Sequence, residues 1–408
     1  MNDLAKEALE YHEFPKPGKL AVEVTKPTES QKDLALAYTP GVAVPVREIA
    51  KDEINAYRYT NKGNLVGVIS NGTAILGLGN LGALASKPVM EGKAVLFKKF
   101  ADIDVFDIEV NTESVSQFIR TVENIAPTFG GINLEDIKAP ECFQIEYELK
   151  KSLNIPVFHD DQHGTAIVVA AGLLNALEIQ GKDLESAKIV CLGAGAAGLA
   201  TLHLLIRMGA RKENITVVDS RGVIHVEREA LGPYKFAFAR RTEMRTLDDA
   251  IDGADVFIGV SGPDLFTANQ LKKMAAKPIV FALSNPDPEI KRELALQTRD
   301  DLIMATGRSD YPNQVNNVIC FPYIFRGALD VKATKISMSM CIAAVKAIQA
   351  LAKEPVPQHI VDLYPDVDAL QFGPEYIIPK PMDPRLRECV SKAVSNTAIK
   401  QGIAQAAN

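Results

Sequence analysis

Two pairs of adjacent acids could do chemistry. Glu135-Asp136 lies in GINLEDIKAPECF and Asp160-Asp161 in VFHDDQHGTAIVV, each inside an apolar run. Neighbouring acids at a surface are ordinary solvated charge, but carboxylates set among apolar residues are costly unless a cation meets them. Three or more oxygen donors suit magnesium or manganese. The second stretch also places His159 and His163 four residues apart, the spacing of a zinc helix. That pattern lacks the glutamate of H-E-x-x-H chemistry, and it sits at a strand end entering a Gly-Thr-Ala helix start. Residue types alone do not choose between Asp160 and Asp161 as a ligand.

A second constellation concerns phosphates. Gly193, Ala194, Gly195, Ala196, Ala197 and Gly198 spell GAGAAG between the apolar run KIVCL and the helical pattern of AAGLATLHLLIRMGA. The first glycine permits a tight turn, the second lets a pyrophosphate approach, and the third allows close helix–strand packing. Free N–H groups at the helix start then face the phosphates. Asp219 closes the next apolar run, where an acid can bind the adenosine ribose, while Arg221 could pair with a 2′-phosphate. NAD and NADP both stay open on these residues. Thr165, in the Gly-Thr-Ala start, is expected to face the same cofactor cleft.

Other candidates are single residues. GLGNLG, Gly77 to Gly82, also matches the glycine pattern, but Pro88 and Gly92 follow within a dozen residues and predict no long helix behind it. Lys93 lies among apolar neighbours in VMEGKAVLF. Most such lysines extend their charge to solvent; desolvated beside a divalent cation, one becomes a neutral base near pH 7. Tyr38, in LALAYTPGVA, precedes a turn that can present its phenol at a site entrance or leave it in a core. Asn285 in LSNP ends a strand-like run, where doubly wound sheets bind ligands, and Asn317 in NNVICFP occupies a similar turn. Either could serve the turn alone.

Elements must hold these groups in place. The first ~20 residues read as a helix broken at FPKPG. LVGVIS, AVLFKKF and IDVFDIEV read as strands, SVSQFIRTVENIA as a helix, and GTAIVVAAGLLNALEIQG as a buried helix ending at Gly181. From Lys188 onward strands alternate with helices, which predicts a parallel sheet. GALDVKATKISMSMCIAAVKAIQALA reads as one long helix, and a proline-bearing tail leads to a last helix. The expected fold class is α/β: an N-terminal substrate and metal domain over 1–160, a Rossmann-type doubly wound parallel sheet domain over 161–352, and a linker or docking segment over 353–408.

Composition narrows the function further. The 408 residues are 47% hydrophobic and carry a net charge of -6, so no cationic field invites nucleic acid. The longest apolar run, AIVVAAGLLNALEI, is too short to span a membrane. Five scattered cysteines without a C-x-x-C pair, behind an acidic N-terminus, predict reduced thiols in a cytoplasmic protein.

Taken in order, AYTPGVA, ILGLGNLG, KPVMEGKAVLFKKF, GINLEDIKAPECF, HDDQHGTA, GAGAAG, LSNP and NNVICFP resemble the motifs of malic enzymes. These are metal-dependent, NAD(P)-linked oxidative decarboxylases of L-malate. The likeness runs to about Ala350, and FGPEYIIPKPMDPRLRE is similar to the large bacterial hybrids whose malic part precedes a phosphotransacetylase-like domain. An isolated malic portion is therefore the expectation. The resemblance implies Glu135, Asp136 and Asp161 as ligands of Mg²⁺ or Mn²⁺, with Asp160 orienting Lys93. Lys93 would take the malate hydroxyl proton, and Tyr38 would protonate C3 of the enol after CO₂ leaves. Asn285 and Asn317 would contact malate, with Asn285 also near the nicotinamide. NADP as cofactor, NAD as the other possibility, and a homodimer or higher homo-oligomer with Tyr38 acting across its interface complete what the resemblance implies. One departure is Ala74, where many larger members carry a substrate-binding arginine. It leaves open a dehydrogenase of another 2-hydroxy acid; an inactive nucleotide-binding sensor is the remaining alternative.

Overall fold

The computed structural model describes residues 3–75, 77–364 and 370–405. Short runs rich in Val, Ile and Leu assemble into two sheets. In the first, β1 (Leu65–Ser70), β2 (Asp104–Glu109), β3 (Gly131–Leu134) and β4 (Val157–His159) lie in the order β2-β1-β3-β4, all parallel. In the second, β5 (Ile189–Leu192), β6 (Ile215–Asp219), β7 (Gly222–Val223), β8 (Val256–Gly259), β9 (Ile279–Ala282) and β10 (Ile303–Thr306) lie in the order β10-β9-β8-β5-β6-β7. Only β7 runs antiparallel to its neighbour. Every residue of β1, β3, β5, β8 and β9 is buried, as expected where helices cover both faces of a parallel sheet. The α/β class and the doubly wound second sheet agree with the sequence. None of the described helices is long and apolar enough to cross a membrane.

The helix Thr165–Gln180 joins the two sheets. Ala166 to Leu173 are buried without a break, and the helix closes on Gly181 in the left-handed region. Its side chains belong to one apolar cluster with Val66 and Val68 of β1, Phe158 of β4, and Ile189 and Ile258 of the second sheet. One core therefore serves both sheets.

Three local expectations are corrected. AVLFKKF is no strand, and GLGNLG does lead into a long helix, Ala83–Ala101, with Pro88 inside it. Ala83, Ser86, Met90, Ala94, Phe97 and Ala101 are its buried residues, at steps of three and four, and this stripe outweighs the ~3 kcal/mol that an interior proline costs. The single helix expected after Tyr323 is two, Phe321–Asp330 and Met338–Leu351. Ser337 starts the second by accepting a hydrogen bond from the Met340 N–H, a capping signal overlooked in KISMSM. The last helix expected from sequence forms as Arg385–Lys400, with Leu386, Val390, Val394 and Ala398 buried.

At the edge strand β2, Lys87 pairs with Asp107 at 2.6 Å and with Glu109 at 3.7 Å. Burial, with the Asp107 carboxylate beside it, pushes Glu109 up to about 7 despite Lys87. The folded chain thus binds a proton more tightly here than the unfolded chain. The associated stabilisation is complete below the ordinary glutamate pKa and is lost as pH rises through about 7. Glu109→Gln should flatten this decline between pH 5 and pH 8, by no more than ~1 kcal/mol after solvent screening. Melting temperatures of both forms across that range check it, and an unchanged slope would remove the assignment.

Candidate active site

Parallel strands carry ligands at their C-terminal ends, and the two acidic pairs occur there. Glu135 and Asp136 follow β3, while Asp160 and Asp161 follow the adjacent β4 in a single π-helical turn, Asp160–Gly164. Asp136 takes a positive φ of 53°, and its N–H donates to Asp161 Oδ2 at 2.9 Å, joining the two loops. Asn133 holds Glu135 by a 2.8 Å hydrogen bond to Oε2. Oxygens of Glu135, Asp136 and Asp161 lie within 4.8 Å of one another.

Lys93 reaches this cluster from the helix Ala83–Ala101, beside its buried stripe. Its ammonium lies 2.7 Å from Asp160 Oδ2 and 2.9 Å from Glu135 Oε1, and 4.4 Å from the centre of the Phe321 ring. Burial opposes its charge, but Asp160 and Glu135 outweigh burial and hold Lys93 protonated well above the ordinary lysine range. The lowered lysine pKa expected from sequence belongs to a site that also holds a cation; without one, the carboxylates set the direction. Burial raises Glu135 well above the usual carboxylate range, with Asp161, Asp160 and Asp136 adding repulsion. Four carboxylates around one ammonium leave an excess of negative charge, and three of them, Glu135, Asp136 and Asp160, are buried. A hard divalent cation fits that donor set, which offers oxygen only.

The histidines lie beside this centre. His159 is fully buried, with Nδ1 3.8 Å from Asp161 Oδ2, and burial lowers its pKa. His163 Nε2 meets Glu146 Oε2 at 2.8 Å. Neither belongs to the one candidate metal cluster found among the described residues.

Sequence reasoning missed Glu146. From the helix Glu141–Ser152 its carboxylate accepts the His159 N–H at 3.1 Å and pairs with His163 and with Lys150 at 2.7 Å, bracing the turn that carries Asp160 and Asp161. Burial works against its charge, yet His163 and Lys150 hold Glu146 far below the usual range. A signal was present: Glu146 is an acid on the apolar stripe of Cys142, Ile145 and Leu149. Glu289 was missed too. It is fully buried and accepts the N–H groups of Ser261 at 2.9 Å and Ser284 at 3.1 Å, tying the loops after β8 and β9.

Asn317 joins the cluster, with Nδ2 3.2 Å from Asp160 Oδ2 and Oδ1 accepting from Thr165 Oγ1 at 3.4 Å. Thr165 is thus found against the Lys93 side of the site. Asn285 lies just beyond β9 and is joined to Pro286 by a cis peptide, with its side chain against Gly307. Ala74 abuts the centre, its N–H donating to the Asp136 carbonyl at 3.0 Å. Tyr38 is not brought to these groups: it caps the helix Gln31–Ala37 and is 75% exposed.

A cleft of about 1280 Å³ runs along GAGAAG, lined by Gly193, Ala194, Gly195, Asp219, Arg221 and Lys235 among others. Gly193 has φ +119°, and a β-carbon at Gly198 would stand 2.1 Å from the Gly193 carbonyl oxygen, so both positions require glycine. Ala196 and Ala197 open the helix Ala196–Arg207 behind them. Asp219 closes β6 and is bound by Arg228 and Lys235; burial resists its charge, but those two hold its carboxyl well below the usual range.

Comparison with known proteins agrees with this architecture. The family model for the malic enzyme N-terminal domain matches residues 17–150, and that for the malic enzyme NAD binding domain matches 162–373. A curated NADP-dependent malic enzyme of Halomonas elongata is 64% identical, covering 98% of this chain and 94% of its own. One from Escherichia coli is 57% identical over 99% of this chain but only 53% of its own, so the chain spans about half of that relative. The crystal structure of malic enzyme from Pyrococcus horikoshii superposes with a TM-score of 0.90 at 45% identity, covering 99% of this chain and 93% of that one. Likeness at this level, in sequence and in fold and along both halves of the molecule, makes the chain a member of the malic enzyme family.

Proposed function

We propose that the protein oxidises and decarboxylates L-malate to pyruvate and CO₂, reducing NADP⁺ in preference to NAD⁺. The observation that carries this reading is the meeting of Lys93 with Asp160 and Glu135 at the C-terminal ends of β3 and β4. Glu135, Asp136 and Asp161 would hold Mg²⁺ or Mn²⁺, which supplies charge to polarise the malate oxygens and offsets the field that keeps Lys93 protonated. As the neutral amine, Lys93, oriented by Asp160, accepts the C2 hydroxyl proton. A dinucleotide held at GAGAAG would supply the nicotinamide that takes the hydride from C2. Asn285 and Asn317 orient the substrate, and loss of the C4 carboxylate as CO₂ leaves an enol that is protonated at C3. Residues 1–160 carry the acid–base groups and most of the metal ligands in this reading, and 161–352 carry the cofactor, with Asp161, Asn285 and Asn317 reaching back to the substrate side.

Tyr38 is the acid for that last step, delivered by a second copy in a homodimer. The helices Asp3–Glu13, Gln31–Ala37 and Ala43–Lys51 bury no residue, and they expose Leu34, Leu36, Val44 and Val46 beside Tyr38. Such a patch fits an interface. Five free cysteines and a net charge of -6 fit a reducing cytoplasm.

Steady-state assays of malate with NADP⁺ and NAD⁺, each with Mn²⁺ and with chelator, test the function. Metal-dependent pyruvate formation, faster with NADP⁺, is expected. No pyruvate under any condition would refute the activity, and full activity in a preparation that sediments as a monomer would refute the shared site.

A further inference from the structure

The acid that ends β6 has a standard task in a dinucleotide fold. It accepts hydrogen bonds from the adenosine ribose diol, and it repels a phosphate on the 2′-oxygen. That task needs a carboxylate with free lone pairs facing the cleft. Asp219 has none to spare. Its Oδ1 accepts from Arg228 Nη1 at 2.9 Å and from the Arg221 N–H at 3.0 Å. Its Oδ2 accepts from Arg228 Nη2 at 3.0 Å and from Lys235 Nζ at 2.8 Å. Four donors occupy the roughly four acceptor positions of a carboxylate. The Asp219 and Arg228 side chains are 8% and 9% exposed, so this fork is built into the wall.

The cleft side of that wall is cationic. Arg221, Lys235 and Arg245 all line it. Lys235 is 38% exposed beyond its bond to Asp219, and Arg245 is anchored by Glu227 at 2.8 Å. The Arg221 side chain is exposed and makes no hydrogen bond or ion pair among the described residues.

We infer that this chain selects the 2′-phosphate of NADP⁺ by disarming its own ribose acid: Arg228 and Lys235 occupy Asp219, and Arg221 and Lys235 then receive the phosphate. The inference rests on the reading that the enzyme prefers NADP⁺, and it assigns that preference to a residue outside the cleft lining. Arg228 acts through Asp219, as a positioning residue, whereas Arg221 and Lys235 touch the cofactor.

The test compares kcat/KM for NADP⁺ and NAD⁺ in the Mn²⁺-loaded enzyme and in three variants, with calorimetric titration by 2′,5′-ADP and 5′-ADP beside it. In the wild type, 2′,5′-ADP should bind more tightly than 5′-ADP. Arg221→Ser and Lys235→Ser should each lower the NADP⁺/NAD⁺ ratio by ~10- to 100-fold, the loss expected for a charge-assisted hydrogen bond. Arg228→Leu frees a carboxylate, so NADP⁺ should become poorer while NAD⁺ becomes better. A purely structural role for Arg228 would weaken both cofactors alike and leave the ratio fixed, and that result overturns the inference. Should Arg228→Leu fail to fold, the two exposed positions carry the same test. A wild type preferring NAD⁺ overturns the cofactor reading along with the inference. A wild type preferring NADP⁺, with a ratio no variant moves, overturns the inference alone.

Discussion

Lys93→Ala should lower kcat for malate oxidation by ~10²- to 10⁴-fold, the range for losing a positioned general base, while dinucleotide affinity stays as it was. The separation follows from geometry. Lys93 contacts Asp160, Glu135 and Phe321, none of which lines the cleft along GAGAAG. The variant also removes the ammonium from among buried carboxylates, and breaking such a pair costs about 3–5 kcal/mol. A lower melting temperature is expected in chelator, largely regained with Mn²⁺. Turnover near normal would refute the role of Lys93, and lost cofactor binding would show that the substitution acts through misfolding.

Asp161→Asn should have the second large effect. The amide keeps the shape of the side chain and can still accept the Asp136 N–H now bonded to Asp161 Oδ2. Its charge is gone, so Mn²⁺ affinity should fall by more than ~100-fold, beyond the 10- to 100-fold typical of losing a partner that only orients a ligand. Titration of Mn²⁺ by electron paramagnetic resonance measures this directly, without relying on turnover. Unchanged affinity would exclude Asp161 from the ligand set. Tight zinc binding retained in the variant would turn attention back to His159 and His163.

Legibility in the sequence depended on how local the information was. GAGAAG between a strand and a helix, with Asp219 ending the next strand, is written within about thirty residues. The alternation of β5 to β10 with helices was equally local. The helix Ala83–Ala101 was hidden because Pro88 and Gly92 argue against a helix, while the stripe that overrides them gains its worth only from distant partners such as Phe321. Lys93 and Asp160 meet across 67 residues, and no spacing rule connects them. That link came from resemblance to a family. The occupation of Asp219 by Arg228 and Lys235 left no trace in the sequence either, since the donors stand 9 and 16 residues beyond it, outside any spacing rule. Glu146 could have been found, because an acid on an apolar stripe needs partners.

The apolar core shared by both sheets has a thermodynamic consequence. Val66, Phe158, Val168, Ile189 and Ile258 belong to one cluster, so each sheet loses the burial of its shared face if the other is lost. The carboxylate centre and the nucleotide cleft then draw on a common folding equilibrium. Whatever binds at one lowers the population of loosened states at the other. Linkage of this kind is reciprocal: dinucleotide should tighten the hold on a divalent cation by the same factor that the cation tightens the hold on dinucleotide. Communication between the sites then needs no moving part, only the shared core.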